Sequence, residues 1–249
     1  MIQKQYPPLI ERSDAAASAH GFVIVCEHAS ALIPDDFSDL GLKGEALHSH
    51  IAWDPGALGV AQELRRIVGG DLVAGSVSRL LYDCNRPPDA PSAIPSRSEI
   101  FDIPGNANLS SSARQARAIA IYEPFCSALS SVMAAHQAGI LVTVHSFTPV
   151  YNGEQRYCEI GILHDEDTRL ADAMLMAAGA DYPFKVERNV PYSAKDGVTH
   201  TLKEHALKRG WLNVMIEIRN DLIAEPAQQK AMAVALAGLL SAAVSRVNR

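Results

Sequence analysis

Phe22-Val23-Ile24-Val25-Cys26-Glu27-His28-Ala29-Ser30 is the stretch on which the reading of this chain turns. A short run of β-forming apolar residues that ends abruptly in polar ones is the pattern of a buried strand. The same pattern occurs twice more. Ile140-Leu141-Val142-Thr143-Val144 leads into His145-Ser146-Phe147, and Val214-Met215-Ile216 leads into Glu217-Ile218-Arg219. In an open α/β sheet, ligands bind outside the carboxyl ends of the strands. Two histidines and two glutamates from distant parts of the chain are therefore expected at one edge of one sheet. Two imidazoles and a carboxylate make a catalytic zinc site, and a further carboxylate can act as general base.

Working outward, strands alternate with amphipathic helices. Apolar residues at Leu58, Val60, Ala61, Leu64 and Val68 predict a helix over 55–68, stopped by Gly69-Gly70. Strands are expected at 22–25, 71–76, 80–83, 140–144, 158–163 and 212–218. Further helices are expected at 110–138, 165–178, 198–209 and Pro226–Val247, with a short one opening at Gly44. Residues up to about Ala19 read as a leader packed on the outside of a single domain spanning 1–249. The alternation predicts an α/β fold: a mostly parallel or mixed central sheet with helices on both faces. Residues 86–108 are rich in Pro, Ser and Asn, and a long irregular segment of this kind reads as a functional loop or lid.

Composition narrows the function. The chain has 249 residues, 48% hydrophobic and 20% charged, so it can bury a core without disulfide or metal staples. Its net charge of −6 and the lack of a basic block argue against nucleic-acid or polybasic membrane partners. The four cysteines form no CxxC pair, the N-terminus has no apolar signal-peptide core, and the apolar C-terminal segment reads as a packed helix. A cytoplasmic, reduced protein is expected.

The candidate chemistry then falls on few residues. His28 and His145, each at a strand end, are candidate metal ligands. His48 and His50 sit in a loop and suit a solvated or supporting role; His20, His136, His164, His200 and His205 read as surface residues. In Tyr82-Asp83-Cys84-Asn85-Arg86-Pro87 the Arg86 guanidinium offers a planar fork for a carboxylate, Asn85 adds an amide donor, and Asp83 can hold the arginine in place. Glu217 is flanked by Ile and Met, where an ionised carboxylate does not belong unpaired. It is either a structural partner of Arg219 or a general base tuned by partial burial.

Taken in order, these clusters resemble the zinc carboxypeptidase and aspartoacylase group, and more closely the related N-formylglutamate amidohydrolase family. The matching segments are Cys26–Ser30 with Ile33-Pro34, Asp54-Pro55-Gly56-Ala57, Tyr82–Arg86, Val144-His145-Ser146-Phe147-Thr148-Pro149, Asn189-Val190-Pro191-Tyr192-Ser193 and Glu217–Ile223. The resemblance implies a phosphorylase/hydrolase-like, zinc exopeptidase-like fold. It also implies one Zn2+ ion on His28, His145 and a carboxylate, and Glu217 activating water. Asn85 and Arg86 would hold a substrate carboxylate, with Arg97 or Arg219 for a second one. The substrate it implies is a small N-acyl amino acid such as N-formyl-L-glutamate. The carboxypeptidase pattern His-x-x-Glu is broken, because position 31 is Ala31. The third ligand is then Glu27, adjacent to His28, or its rival Asp54; Glu27 is preferred. Two other readings remain: a zinc exopeptidase or cell-wall peptide amidase, and a non-catalytic ligand-binding protein. The last would leave Glu217 exposed and far from both histidines.

Overall fold

A computed structural model describes residues 4–13 and 20–247. Seven of its strands form one sheet: β1 (Leu9–Glu11), β2 (Phe22–Cys26), β3 (Asp71–Ala74), β4 (Ile140–Phe147), β5 (Ile160–Leu163), β6 (Val186–Arg188) and β7 (Leu212–Arg219), in the order β1-β3-β2-β4-β7-β5-β6. β3, β2, β4 and β7 run parallel. β5 pairs antiparallel to β7, β6 pairs parallel to β5, and β1 closes the other edge antiparallel to β3. The sheet is thus mixed around a parallel centre, and the carboxyl ends of its four central strands share one edge.

β2 and β4 are buried along their whole length, as the apolar runs Phe22–Cys26 and Ile140–Val142 require. One face carries Ile24, Val142, Val144, Val214 and Ile216 under helices α1 (Ala57–Val68), α4 (Arg169–Ala177) and α5 (Pro226–Val247). The other carries Val23, Val25, Leu141 and Met215 under α3 (Glu123–Ala134) and the loops that follow β3. α5 is long and apolar enough to cross a membrane by composition. Its Met232, Leu236, Leu239, Leu240 and Val244 instead pack into the core, which accounts for their apolar character.

Several local expectations change. Leu9–Glu11, expected in a peripheral leader, is an edge strand; residues 1–3 and 14–19 of that leader lie outside the described residues. Residues 80–83 form turns, not a strand, and Val186–Arg188 adds an edge strand that carries no apolar signature. The helix expected over 110–138 is divided into Ser111–Arg117 (α2), a π-helical stretch Ala118–Tyr122 and α3. Pro124 cannot donate to the carbonyl of Ala120, so the regular ladder cannot pass through that point. The helix expected over 198–209 is a short distorted one with π turns over Leu202–Ala206. The loop 86–108 contains a small hairpin pairing Arg97–Ser98 with Phe101–Asp102.

Candidate metal and active site

The register of the sheet builds the site. His145 of β4 stands beside Glu217 of β7. Val25 pairs with Thr143, so Glu27, two residues further on, emerges on the other side of His145. His28 follows as the chain leaves β2. Asp54 arrives from the loop before α1: its backbone N–H donates to His28 O at 2.9 Å, and Gly56, with a positive φ of 81°, turns the chain into the helix. A Cβ at Gly56 would lie 2.3 Å from the Ile223 carbonyl oxygen, so only glycine fits that turn. Opposite Glu217 in the ladder is Gly161. A Cβ there would lie 1.9 Å from the Val190 carbonyl oxygen; its absence lets 190–192 pass close by and brings Tyr192 to the cavity.

At the centre, three atoms face one another. His28 Nδ1 and His145 Nδ1 are 3.2 Å apart, and Asp54 Oδ2 is 3.2 Å from the first and 2.9 Å from the second. All three residues are buried. Behind the rings, His28 Nε2 lies 2.7 Å from Asp83 Oδ1, and His145 Nε2 lies 3.1 Å from Glu27 Oε2. A carboxylate on the Nε2 side favours the hydrogen there and an Nδ1 lone pair turned inward; His28 has a hydrogen bond of that kind, His145 an ion-pair approach. Two such nitrogens and a buried carboxylate oxygen repel one another unless a proton or a metal ion lies between them. Four-coordinate zinc with bonds of 2.0–2.1 Å sets its donors about 3.3 Å apart, close to the observed spacing. The donor set therefore fits a metal ion.

The electrostatics show the same demand for positive charge, which protons meet when no metal is bound. Burial pushes the Asp54 carboxyl up, but His28, hydrogen bonds with both histidines and Arg79 outweigh it and hold it well below the carboxylate range. Burial lowers the basicity of His145, and Glu27 and Asp54 more than reverse that. For His28, burial and Arg79 act downward and Asp83 and Asp54 upward, with a net rise. The two glutamates flanking His145 diverge. Burial would raise Glu27, but His145 and His28 hold it below its usual value. Glu217 is dominated by burial and is pushed up to about 7. Neighbouring carboxyls driven apart in this way take different roles, one staying ionised and the other able to exchange a proton near neutrality.

These groups open onto a cavity of about 430 Å³, a size suited to a small molecule. Arg86 lines it, with Nη1 donating to the Asn85 and Gly197 carbonyls at 3.0 Å. Among the described residues no carboxylate lies within ion-pair distance of Arg86.

Residues 20–224 match the family model described as N-formylglutamate amidohydrolase. The chain belongs to that family. The crystal structure of gene product Atu2144 from Agrobacterium tumefaciens is 50% identical, superposes with a TM-score of 0.93, and covers 99% of this chain and 98% of its own. The N-formylglutamate amidohydrolase of Ralstonia eutropha JMP134 is 17% identical with a TM-score of 0.66, covering 98% of this chain and 97% of its own, a likeness of fold. No curated protein matches the chain.

In this family member the residues expected from the sequence do not all reach the same place. His28, His145, Glu217, Asn85 and Arg86 converge on the cavity, and so does Asp54. Glu27 does not join the three-atom cluster. It lies behind His145, so Asp54 replaces it there, because the imidazole stands between Glu27 and the facing nitrogens. Asn85 is largely committed: its Nδ2 donates to the Val198 carbonyl and its Oδ1 accepts from the Thr201 N–H at 3.0 Å, pinning that segment to the site. Arg97 sits exposed at the mouth, its Nη1 3.1 Å from Asp102 Oδ1. Arg219 lies outside the cavity lining, bonded to Asp221 at 2.8 Å and 3.6 Å from Glu159, and it does not pair with Glu217.

Sequence reasoning missed Arg79. Its guanidinium donates to Asp83 Oδ2 at 2.6 Å and to Asp54 Oδ1 at 3.3 Å, and its free side lines the cavity. The sequence offers only a partial signal, an arginine directly before the apolar Leu80-Leu81-Tyr82. Asp83 therefore holds Arg79 and His28 rather than Arg86. His50 also lines the cavity and pairs with Glu99 at 2.9 Å, whose other oxygen accepts from the Asn152 N–H at 3.3 Å. His205, expected on the surface, is buried, and burial lowers it to about 4.

Proposed function

We propose that this protein is a zinc-dependent amidohydrolase cleaving the amide of a small N-acyl amino acid, with N-formyl-L-glutamate as substrate and L-glutamate and formate as products. The observation that carries the reading is the inward-facing trio of His28 Nδ1, His145 Nδ1 and Asp54 Oδ2 with Glu217 beside it in the ladder. Zinc held by these three residues supplies Lewis acidity, polarising the amide carbonyl and acidifying water near neutral pH.

The remaining work belongs to the chain. Glu217, buried and with an unpartnered Oε2, takes a proton from the attacking water and delivers it to the departing amine nitrogen. Arg79 is fixed against two carboxylates and presents positive charge where the carbonyl oxygen becomes negative. Arg86, with no carboxylate partner among the described residues, clamps the substrate carboxylate, and Arg97 at the mouth meets the second. The four free cysteines fit a reducing cytoplasm. The no-nucleic-acid and no-membrane readings rest on composition.

The test is zinc content of the purified protein followed by hydrolysis of N-formyl-L-glutamate, N-acetyl-L-glutamate, N-formylglycine and short peptides, assayed by free amine. Stoichiometric zinc with preferred turnover of the formyl acidic substrate is expected. Turnover of peptides alone would establish an exopeptidase or peptide amidase. Zinc-loaded protein that binds these compounds and cleaves none would establish a binding protein.

A further inference from the structure

We propose that Glu27 is the positioning residue of His145: its carboxylate holds the Nε2 side of the ring, and so turns Nδ1 toward His28 and Asp54. The inference rests on the reading of those three residues as metal ligands.

Glu27 occupies an unfavourable place. Its side chain is fully buried, in line with Val23 and Val25 on a face otherwise given to apolar core. Neither of its oxygens has a hydrogen bond of full geometry. A carboxylate removed from water and left unpaired is strongly destabilising. The nearest ionisable group is His145, with Oε2 3.1 Å from Nε2, an ion-pair approach in which Nε2 has no other partner; the Thr201 side chain and His28 also favour the ionised carboxylate. Behind it, toward Tyr6, Tyr82 and Phe125, there is a cleft of only about 10 Å³. That is barely the room of a single water, and the Glu27 side chain has no exposure of its own, so bulk solvent does not reach it. Across the cluster Asp83 stands in the same relation to His28, 2.7 Å from its Nε2. Both rings are thus backed by carboxylates on the side away from the facing nitrogens. A carboxylate behind a metal-binding histidine fixes ring orientation and raises ligand basicity, and losing it typically weakens metal binding about 10–100-fold.

Glu27→Gln and Glu27→Leu separate the possibilities. Zinc affinity is measured by chelator competition, and the His145 Nε2–H proton is followed by NMR in zinc-free protein. The wild type should show that proton far downfield. Glu27→Leu should lose it and bind zinc roughly 10–100-fold more weakly. Glu27→Gln, which keeps an acceptor oxygen, should recover part of both. Should the leucine variant not fold, the isosteric glutamine variant carries the same two measurements. Unchanged affinity and an unchanged resonance would overturn the proposal, reducing Glu27 to a structural residue. Abolition of zinc binding by Glu27→Gln would also overturn it, making Glu27 a ligand. A wild-type protein that binds no zinc would remove the metal reading itself. Zinc-binding wild type with an unaffected leucine variant would remove only this inference.

Discussion

Replacing Glu217 with glutamine should make the zinc-free protein more stable at alkaline pH while destroying its activity. In the folded chain burial pushes the Glu217 carboxyl from its ordinary 4.5 up to about 7. Below pH 4.5 folded and unfolded chains both carry the proton, and stability is at its full value. Between 4.5 and 7 the unfolded chain releases the proton and the folded one keeps it, so stability falls with rising pH and levels off above 7. At about 1.4 kcal/mol per pH unit, the loss is about 3 kcal/mol by pH 8. The Glu217→Gln variant would keep the volume without the titration and should not show this decline. The gap between variant and wild type should open from near zero at pH 4.5 to about 3 kcal/mol at pH 8, or roughly 6–12 °C in Tm for a chain of this size. Thermal or urea melts of zinc-free protein across that range read it directly. In zinc-loaded enzyme the same substitution should cost about 10²–10⁴-fold in kcat, the usual worth of a general base. A gap that does not change with pH, or a variant that is less stable at pH 8 yet fully active, would refute the reasoning and return Glu217 to a structural role.

His28→Ala and His145→Ala should each abolish zinc binding while leaving the far-ultraviolet dichroism unchanged; near-stoichiometric zinc in either variant would remove that residue from the site. Arg86→Lys should raise KM for N-formyl-L-glutamate roughly 10–100-fold, because a point charge cannot replace a two-pronged donor, and an unchanged KM would move the carboxylate to Arg97. Arg219→Ala should leave KM unchanged and cost under about 1 kcal/mol in urea melts, its partner Asp221 being well exposed; a large rise in KM would return Arg219 to the substrate.

The central strands were legible because β2, β4 and β7 are largely buried and each carries an apolar run, Phe22–Cys26, Ile140–Val144 broken only by Thr143, and Val214–Ile216. β1 and β6 were not, because edge strands such as Val186-Glu187-Arg188 are half in solvent and carry no pattern. The reversal of β5 against β7 was equally hidden, since a buried run reads the same in either direction. In the site, His28, His145 and Glu217 were visible as polar residues where apolar strands stop. The choice between Glu27 and Asp54 was not. It depends on which nitrogen of His145 faces which carboxylate, and that follows from the packing of three separate segments. Arg79 was hidden for a simpler reason: its meaning lies in partners at positions 54 and 83, and only the second is near in sequence.

Glu27, His145 and Glu217 come from three neighbouring strands, or the residue just past one, bound by a single backbone ladder, whereas Arg86, Arg97 and Tyr192 come from loops. This divides the molecule into parts that can change independently. Substitutions, insertions or grafted sequences within 86–108 can alter which amide substrate is admitted without shifting the register that aligns these three residues. Slipping any one of those strands by a single residue would turn its contribution to the opposite face and end the chemistry at once. For directed evolution toward other amide substrates, libraries belong in the loops, with the three strands held constant.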